Sequence, residues 1–306
     1  MGAYWGEVFA LLTSLFWAGT SIFFTLAGRE VGSQVVNRLR LLAATVCLSL
    51  IHWVLRGSLL PWAAEPARWG WLTVSAVVGL VIGDGLLFYA FTQIGARLSM
   101  LLMALTPVIG TFLAWLFLGE TLTWLELLAV TITIGGIAWV ILERAPANKR
   151  RATLAEAETP RQFIVGILCG VGGAAAQAAG LVLSKQGMEG GFFPLSASLM
   201  RVVTATLVIW ALAALQREAR TTVSALRKQP ARTFILAGAL IGPVIGMSLS
   251  LAAVQLSHVG IASTLMALSP VLLLPLGHWI FQDRVTLRAV LGTVVAMFGV
   301  ALIFLG

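Results

Sequence analysis

Met103-Ala-Leu-Thr-Pro107 returns as Met266-Ala-Leu-Ser-Pro270, 163 residues later in a chain of 306. The same shift carries Gly83 onto Gly246, Glu120 onto Asp283 and Gly136 onto Gly299, and a shift of 161 carries Arg40 onto Arg201. One short match would be chance. Collinear matches across half the chain mark an internal duplication.

The duplicated unit is written almost entirely in apolar residues. Hydrophobic side chains make up 59% of the chain and charged ones 10%, against roughly 25% charged in a soluble domain. Apolar runs of about 20 residues, long enough to cross a hydrocarbon core as helix, recur with polar breaks. They predict ten spans, at residues 7–27, 35–55, 69–92, 98–118, 122–142, 162–184, 194–215, 231–254, 259–281 and 286–305. The runs are long, continuous and rich in Gly and Ala at four-residue spacing, which points to an all-α membrane protein and not to the short alternating strands of a barrel. The spans group into two five-helix repeats, residues 1–143 and 162–306, joined by a charged linker over 144–161 that contains Lys149-Arg150-Arg151.

Five spans per unit is an odd number. A second copy threaded on continuously must then enter the membrane upside down, so the duplication predicts inverted repeats, an architecture common among secondary transporters. The first apolar run lacks a preceding basic segment and reads as a retained helix. Sixteen of the 20 Lys and Arg residues fall in the odd-numbered connections and four in the even-numbered ones. By the positive-inside rule this places the odd loops in the cytoplasm and both termini outside. A cell inner membrane, with the protein multi-pass, is the simplest address.

The formal charge of +8 does not indicate nucleic-acid binding, because the basic residues are scattered over loops and form no patch interleaved with aromatics. Cys47 and Cys169 occupy non-equivalent positions within spans and read as small buried hydrophobes. His52, His258 and His278 are isolated and lack metal-ligand spacing, so no metal and no cofactor are expected. No nucleotide-binding loop and no nucleophile with a positioned base is present, which argues against an enzyme and against direct use of ATP.

The two five-span units, with Pro107 a dozen residues before Gly119-Glu120, resemble the ten-helix EamA type of the drug/metabolite transporter superfamily. The second copy keeps Pro270 but has Gln282-Asp283 in place of Gly-Glu. The resemblance implies a secondary transporter moving a small metabolite by alternating access, with an ion gradient, proton coupling or substrate exchange as its energy source. It also implies termini in the cytoplasm, opposite to the loop charges. A lipid or lipid-carrier translocator with a laterally open cavity is the alternative use of such a fold. The expected partners are the small-molecule substrate and the lipid bilayer; neither the compound nor an oligomeric state is readable.

Asp84 is the first candidate for substrate binding or coupling. It is the one carboxylate placed deep within a predicted span, where a charge costs roughly 2.5–3.5 kcal/mol on insertion scales, and position 247, its repeat equivalent, is Met. It is expected to face a polar central cavity or to pair with Lys185 or an arginine. In the sixth span Gly166, Gly170, Gly173, Gln177, Gly180 and Ser184 fall on one helical face that should pack closely and bring Gln177 into the bundle. Lys185 follows at that helix's end, where snorkelling is the competing explanation. Trp17, Thr20 and Ser21 lie mid-span in the first helix and are pocket candidates, with Tyr89 and Gln93 as further ones. Arg40 and Arg201, by their symmetry, and Pro107 and Pro270, as breaks in the helical ladder, are expected to serve architecture and gating.

Overall fold

The computed structural model describes residues 4–118, 123–147, 160–256, 265–281 and 286–303. All regular structure among them is helical. Helix α1 covers Trp5–Val31 and α2 Ser33–Arg56, with Gly32 between them at φ 86°. A side chain would be strained at that φ, so glycine allows the chain to reverse in one residue. α3 (Pro66–Ala76) runs through a seven-residue π-helical segment, Val77–Gly83, into α4 (Asp84–Met103). α5 (Leu105–Leu118), α6 (Trp124–Ala147) and α7 (Pro160–Gly187) follow, then α8 (Pro194–Leu215) and the short α9 (Ala219–Ser224). α10 (Gln229–Ala239) passes through a second π segment, Leu240–Gly246, into α11 (Met247–Leu256), and α12 (Ser269–Phe281) and α13 (Leu287–Ile303) complete the order.

Among the described residues six helices are long and apolar enough to cross a membrane, one of them the composite Pro66–Met103, and shorter apolar helices cover 127–140, 269–280 and 287–302. The composite helix holds the expected third span and the start of the fourth, because Gly95, at φ 78° and ψ 167°, breaks it sharply. Residues 148–159 of the linker, residues 257–264 at the start of the ninth expected span, and the Glu120 and Asp283 positions lie outside the described residues.

The repeat is visible in local backbone as well as in sequence. The two π segments lie 163 residues apart, as Val77-Val-Gly-Leu-Val-Ile-Gly83 and Leu240-Ile-Gly-Pro-Val-Ile-Gly246. Pro243 has no N–H to give the α ladder, which accounts for widened turns in the second copy, and such turns often mark functional places in helices. The ladder also breaks at equivalent points, Ala104 and Ala267–Leu268, just before Pro107 and Pro270. Each proline therefore stands in the first turn of α5 or α12, where a missing N–H is tolerated. They begin helices and do not bend them midway.

Contacts cross between the halves in matched pairs. The α7 face predicted from its glycines packs on α3–π–α4: the Ser75 hydroxyl donates to the Gly180 carbonyl at 2.6 Å, and Cβ atoms on Gly83, Gly173 and Gly166 would meet Ala176, Leu87 and Ile94. In the same manner α1 packs on α10–π–α11, with Phe24 against Gly238, Thr20 against Gly242 and Trp17 against Gly246. α6 and α13 also pair. A Cβ on Gly136 would stand 2.5 Å from Ala296 N, and one on Gly299 would stand 2.6 Å from Thr133 N, while Val140 meets Gly292. Numbers fall along α6 as they rise along α13, so these two helices run antiparallel with backbones in direct contact, as small residues permit. Thr45 and Thr206, equivalent at a shift of 161, touch through their hydroxyls at 2.8 Å where α2 crosses α8.

Leu41, Leu48, Leu199 and Val202 form one fully buried cluster around that crossing; Ile94, Leu98, Leu102 and Ala296 form another between α4, α7 and α13. Outward faces remain apolar, as with Val8, Leu11, Leu12 and Leu15 on α1, and exposed tryptophans occur toward helix ends at 5, 53, 71, 124 and 279, in the α2–α3 turn at 62 and within α6 at 139. Lipid is the solvent these faces fit.

Candidate functional site

Five polar side chains from four helices meet in this apolar bundle. Asn37 and Arg40, one turn apart on α2, share a face, and the Asn37 Oδ1 accepts from Arg40 Nε at 3.0 Å and from Nη2 at 2.9 Å. Arg40 Nη2 also donates to Asp84 Oδ2, at the first position of α4, while Gln177 Nε2 of α7 donates to Asp84 Oδ1. The guanidinium lies over the Phe88 ring, 4.6 Å from its centroid. Arg40 and Asp84 are only 5% and 6% exposed. A carboxylate in such surroundings is tolerable because both of its oxygens have donors and one of those donors is a cation.

Arg201 of α8 approaches the same group from the other half. Its Nη2 and Gln177 Oε1 lie 3.3 and 3.5 Å from where a Cβ on Gly79 would stand, so the π segment's first glycine admits both. Asp84 acts on Arg201 electrostatically, and among the described residues Arg201 forms no ion pair. The repeat equivalent of Asp84 is Met247, so the second half has kept the arginine and dispensed with the acid. The cluster thus carries two guanidinium groups and one carboxylate.

The structure therefore brings together Asp84, Gln177, Arg40 and Arg201 from the sequence candidates, and the acid's partner is Arg40. The others lie elsewhere. Thr20 donates to the Gly238 carbonyl at 3.2 Å, Ser21 to the Ala18 carbonyl at 2.7 Å, and Trp17 rests on Gly246. Trp17 and Thr20 belong to the α1 seam with the second half, in the place where Gln177 and Gly180 serve α7, while Ser21 bonds within its own helix. Tyr89 is exposed; Gln93 is half-buried and donates to Thr92 Oγ1 at 3.3 Å. Neither joins the Asp84 cluster. Lys185 belongs to α7 by its backbone, but its side chain lies outside the described residues.

Sequence reading missed two polar locks at the ends of the α2–α8 crossing. At one end buried Arg38 pairs with Glu218 at 2.6 Å and donates to Thr222 Oγ1 at 3.1 Å, while Trp210 Nε1 donates to the Arg38 carbonyl. At the other, His52 is held between the Ser58 carbonyl and Ser196 Oγ, at 2.6 and 3.0 Å. Arg38 is two residues from Arg40 and read as a loop cation; its near-complete burial follows from tertiary packing that periodicity does not report. Both cysteines are free and half-buried. No cluster of metal-binding side chains occurs among the described residues.

One solved structure, described only as the crystal structure of a protein, has the same fold, with a TM-score of 0.56 at 16% identity over 97% of this chain and 95% of that one. Curated proteins yield no match. The model of the EamA-like transporter family matches residues 4–142 and again 164–305, once per half. With both halves matched, the chain belongs to the EamA-like transporter family.

Proposed function

We propose that this protein is a secondary transporter that moves a small metabolite by alternating access between two inverted five-helix halves, residues 1–143 and 162–306, in a cell inner membrane. The observation that carries this reading is the buried cluster in which Arg40 and Asp84 come from one half and Gln177 and Arg201 from the other. Ionisable groups inside a membrane bundle are costly to keep, and they concentrate where substrates or ions pass.

The reciprocal seams support the inverted arrangement. When Gly136 meets residues around 296 and Gly299 meets residues around 133, each helix uses the same patch on the other, which is the signature of a two-fold relation. Because the two helices run antiparallel, that axis lies across them and in the membrane plane. Substrate sites of inverted-repeat transporters sit near the midplane where the halves meet, and the Thr45–Thr206 contact and the Asp84 cluster join residues of both halves. The linker over 144–161 joins the halves, and its basic residues favour a cytoplasmic position. Energy would come from an ion gradient, proton coupling or exchange.

The test is flux into liposomes containing the purified protein, across a panel of amino acids, organic acids, amines and sugars, with and without an imposed proton gradient. Saturable uptake of at least one compound is expected. A folded, inserted preparation that moves none of them faster than protein-free liposomes would remove the reading.

A further inference from the structure

Two donors on α8 are left over when the polar contacts of the cluster have been assigned. Arg201 Nε and Ser198 Oγ are buried and, among the described residues, have no hydrogen-bond partner, in residues that are 6% and 1% exposed. They are three positions apart, so they lie one above the other on neighbouring lines of the same helix face. A buried donor without a partner is an uncommon state in a folded protein and calls for a cause.

The charge beside them is also unbalanced. Asp84 Oδ2 receives Arg40 and Oδ1 receives Gln177, which leaves Arg201 with an electrostatic interaction with Asp84 and, among the described residues, no ion pair. The first half balances its arginine with an acid at 84. The second half has Met247 at that position, and its arginine turns toward Gly79 and Gln177 in the seam between the halves. A guanidinium offers paired donors in a plane that matches two oxygens of a carboxylate, and a serine hydroxyl adds a third.

We propose that Arg201 and Ser198 bind an anionic oxygen group of the cargo, and that this group is a carboxylate, so that the transported metabolites are carboxylates. The cargo then supplies the negative charge that Met247 does not. This assignment rests on the transporter reading for the word cargo, but the anion site itself stands without it.

The unfolding temperature of the full-length protein in detergent, followed at constant ionic strength while acetate or succinate replaces chloride, tests the site. Ligand binding to the folded state raises that temperature in a concentration-dependent way. We expect carboxylate to stabilise the wild type, Arg201→Gln to raise the half-saturating concentration at least tenfold, Ser198→Ala to raise it several-fold, and Arg288→Gln, on the exposed start of α13, to leave it unchanged. Should Arg201→Gln not fold, Arg201→Lys, which keeps the charge and loses the planar fork, must weaken the response together with Ser198→Ala. Equal responses in wild type and these variants, or no response to any carboxylate, overturn the proposal. A response to inorganic phosphate or to added phosphatidylglycerol in preference to carboxylate overturns it equally. Carboxylate binding that depends on Arg201 without flux in liposomes would remove the transporter reading and leave the site. Flux indifferent to Arg201→Gln and Ser198→Ala would do the reverse.

Discussion

Asp84→Asn should cost this protein more stability than any other single neutralisation in its interior. The substitution keeps the shape of the side chain and one oxygen acceptor but removes the charge that faces Arg40 and lies in the field of Arg201. Breaking a buried ion pair from one side costs about 3–5 kcal/mol, because the remaining charge stays desolvated. Asparagine still accepts one hydrogen bond, which puts the loss near the lower end, about 3 kcal/mol. At roughly 2–4 °C per kcal/mol for a chain of this size class, the melting temperature should fall by about 6–12 °C. Arg40→Gln should cost less, since Asp84 keeps Gln177 and the nearby Arg201. The double variant Asp84→Asn/Arg40→Gln should be more stable than the two losses added, as members of one network are not additive. Scanning fluorimetry on the 11 tryptophans reads all of this. An Asp84→Asn variant within 2 °C of wild type, or one more stable than Arg40→Gln, would refute the reasoning.

The α6–α13 seam gives a second test: Gly136→Ala and Gly299→Ala each press a methyl into backbone of the other helix and should cost about 1–3 kcal/mol, read as lowered melting temperatures, whereas Gly110→Ala, with nothing within 4 Å of its Cβ, should be neutral. Thr45→Cys with Thr206→Cys, in a background where Cys47 and Cys169 are replaced by Ser, should cross-link under mild oxidation, because the two hydroxyls touch; failure to cross-link in a folded protein would displace the α2–α8 crossing. An Arg150→Cys variant should resist an impermeant maleimide in intact cells, as the charge bias of the loops requires, and labelling there would reverse the orientation.

Much of this architecture could be read before any coordinates, because a membrane bundle writes its packing into small-residue periodicity. The glycine face of α7 is the clearest instance: spacing alone placed Gln177 inward, and the structure seats that face on α3–π–α4. Asp84 stood out for the same reason, as a charge in an apolar run. Spacing does not tell which neighbour a face will meet. Arg40 was therefore legible as a repeated arginine but not as the partner of Asp84, which depends on how α2 and α4 pack. Trp17, Thr20 and Ser21 are pocket candidates by sequence; in the structure Trp17 and Thr20 serve the seam that glycines serve in the other half, and Ser21 bonds within α1. Ser198 carried no signal at all, being one hydroxyl among many in an apolar helix, and its lack of a partner among the described residues appears only from the packed structure. The π segments were equally silent, although the shared Gly-x-Val-Ile-Gly ending of both copies is a mark that could have located them.

Counterflow tests the central claim most directly. Liposomes containing the wild-type protein are loaded with an unlabelled carboxylate, diluted into medium with a trace of the labelled compound, and sampled over time. A carrier that exposes one site alternately to each side accumulates label transiently above its external concentration with no other energy source, and this overshoot is the result the account predicts. Simple equilibration of label with no overshoot, or none above protein-free liposomes, would contradict it.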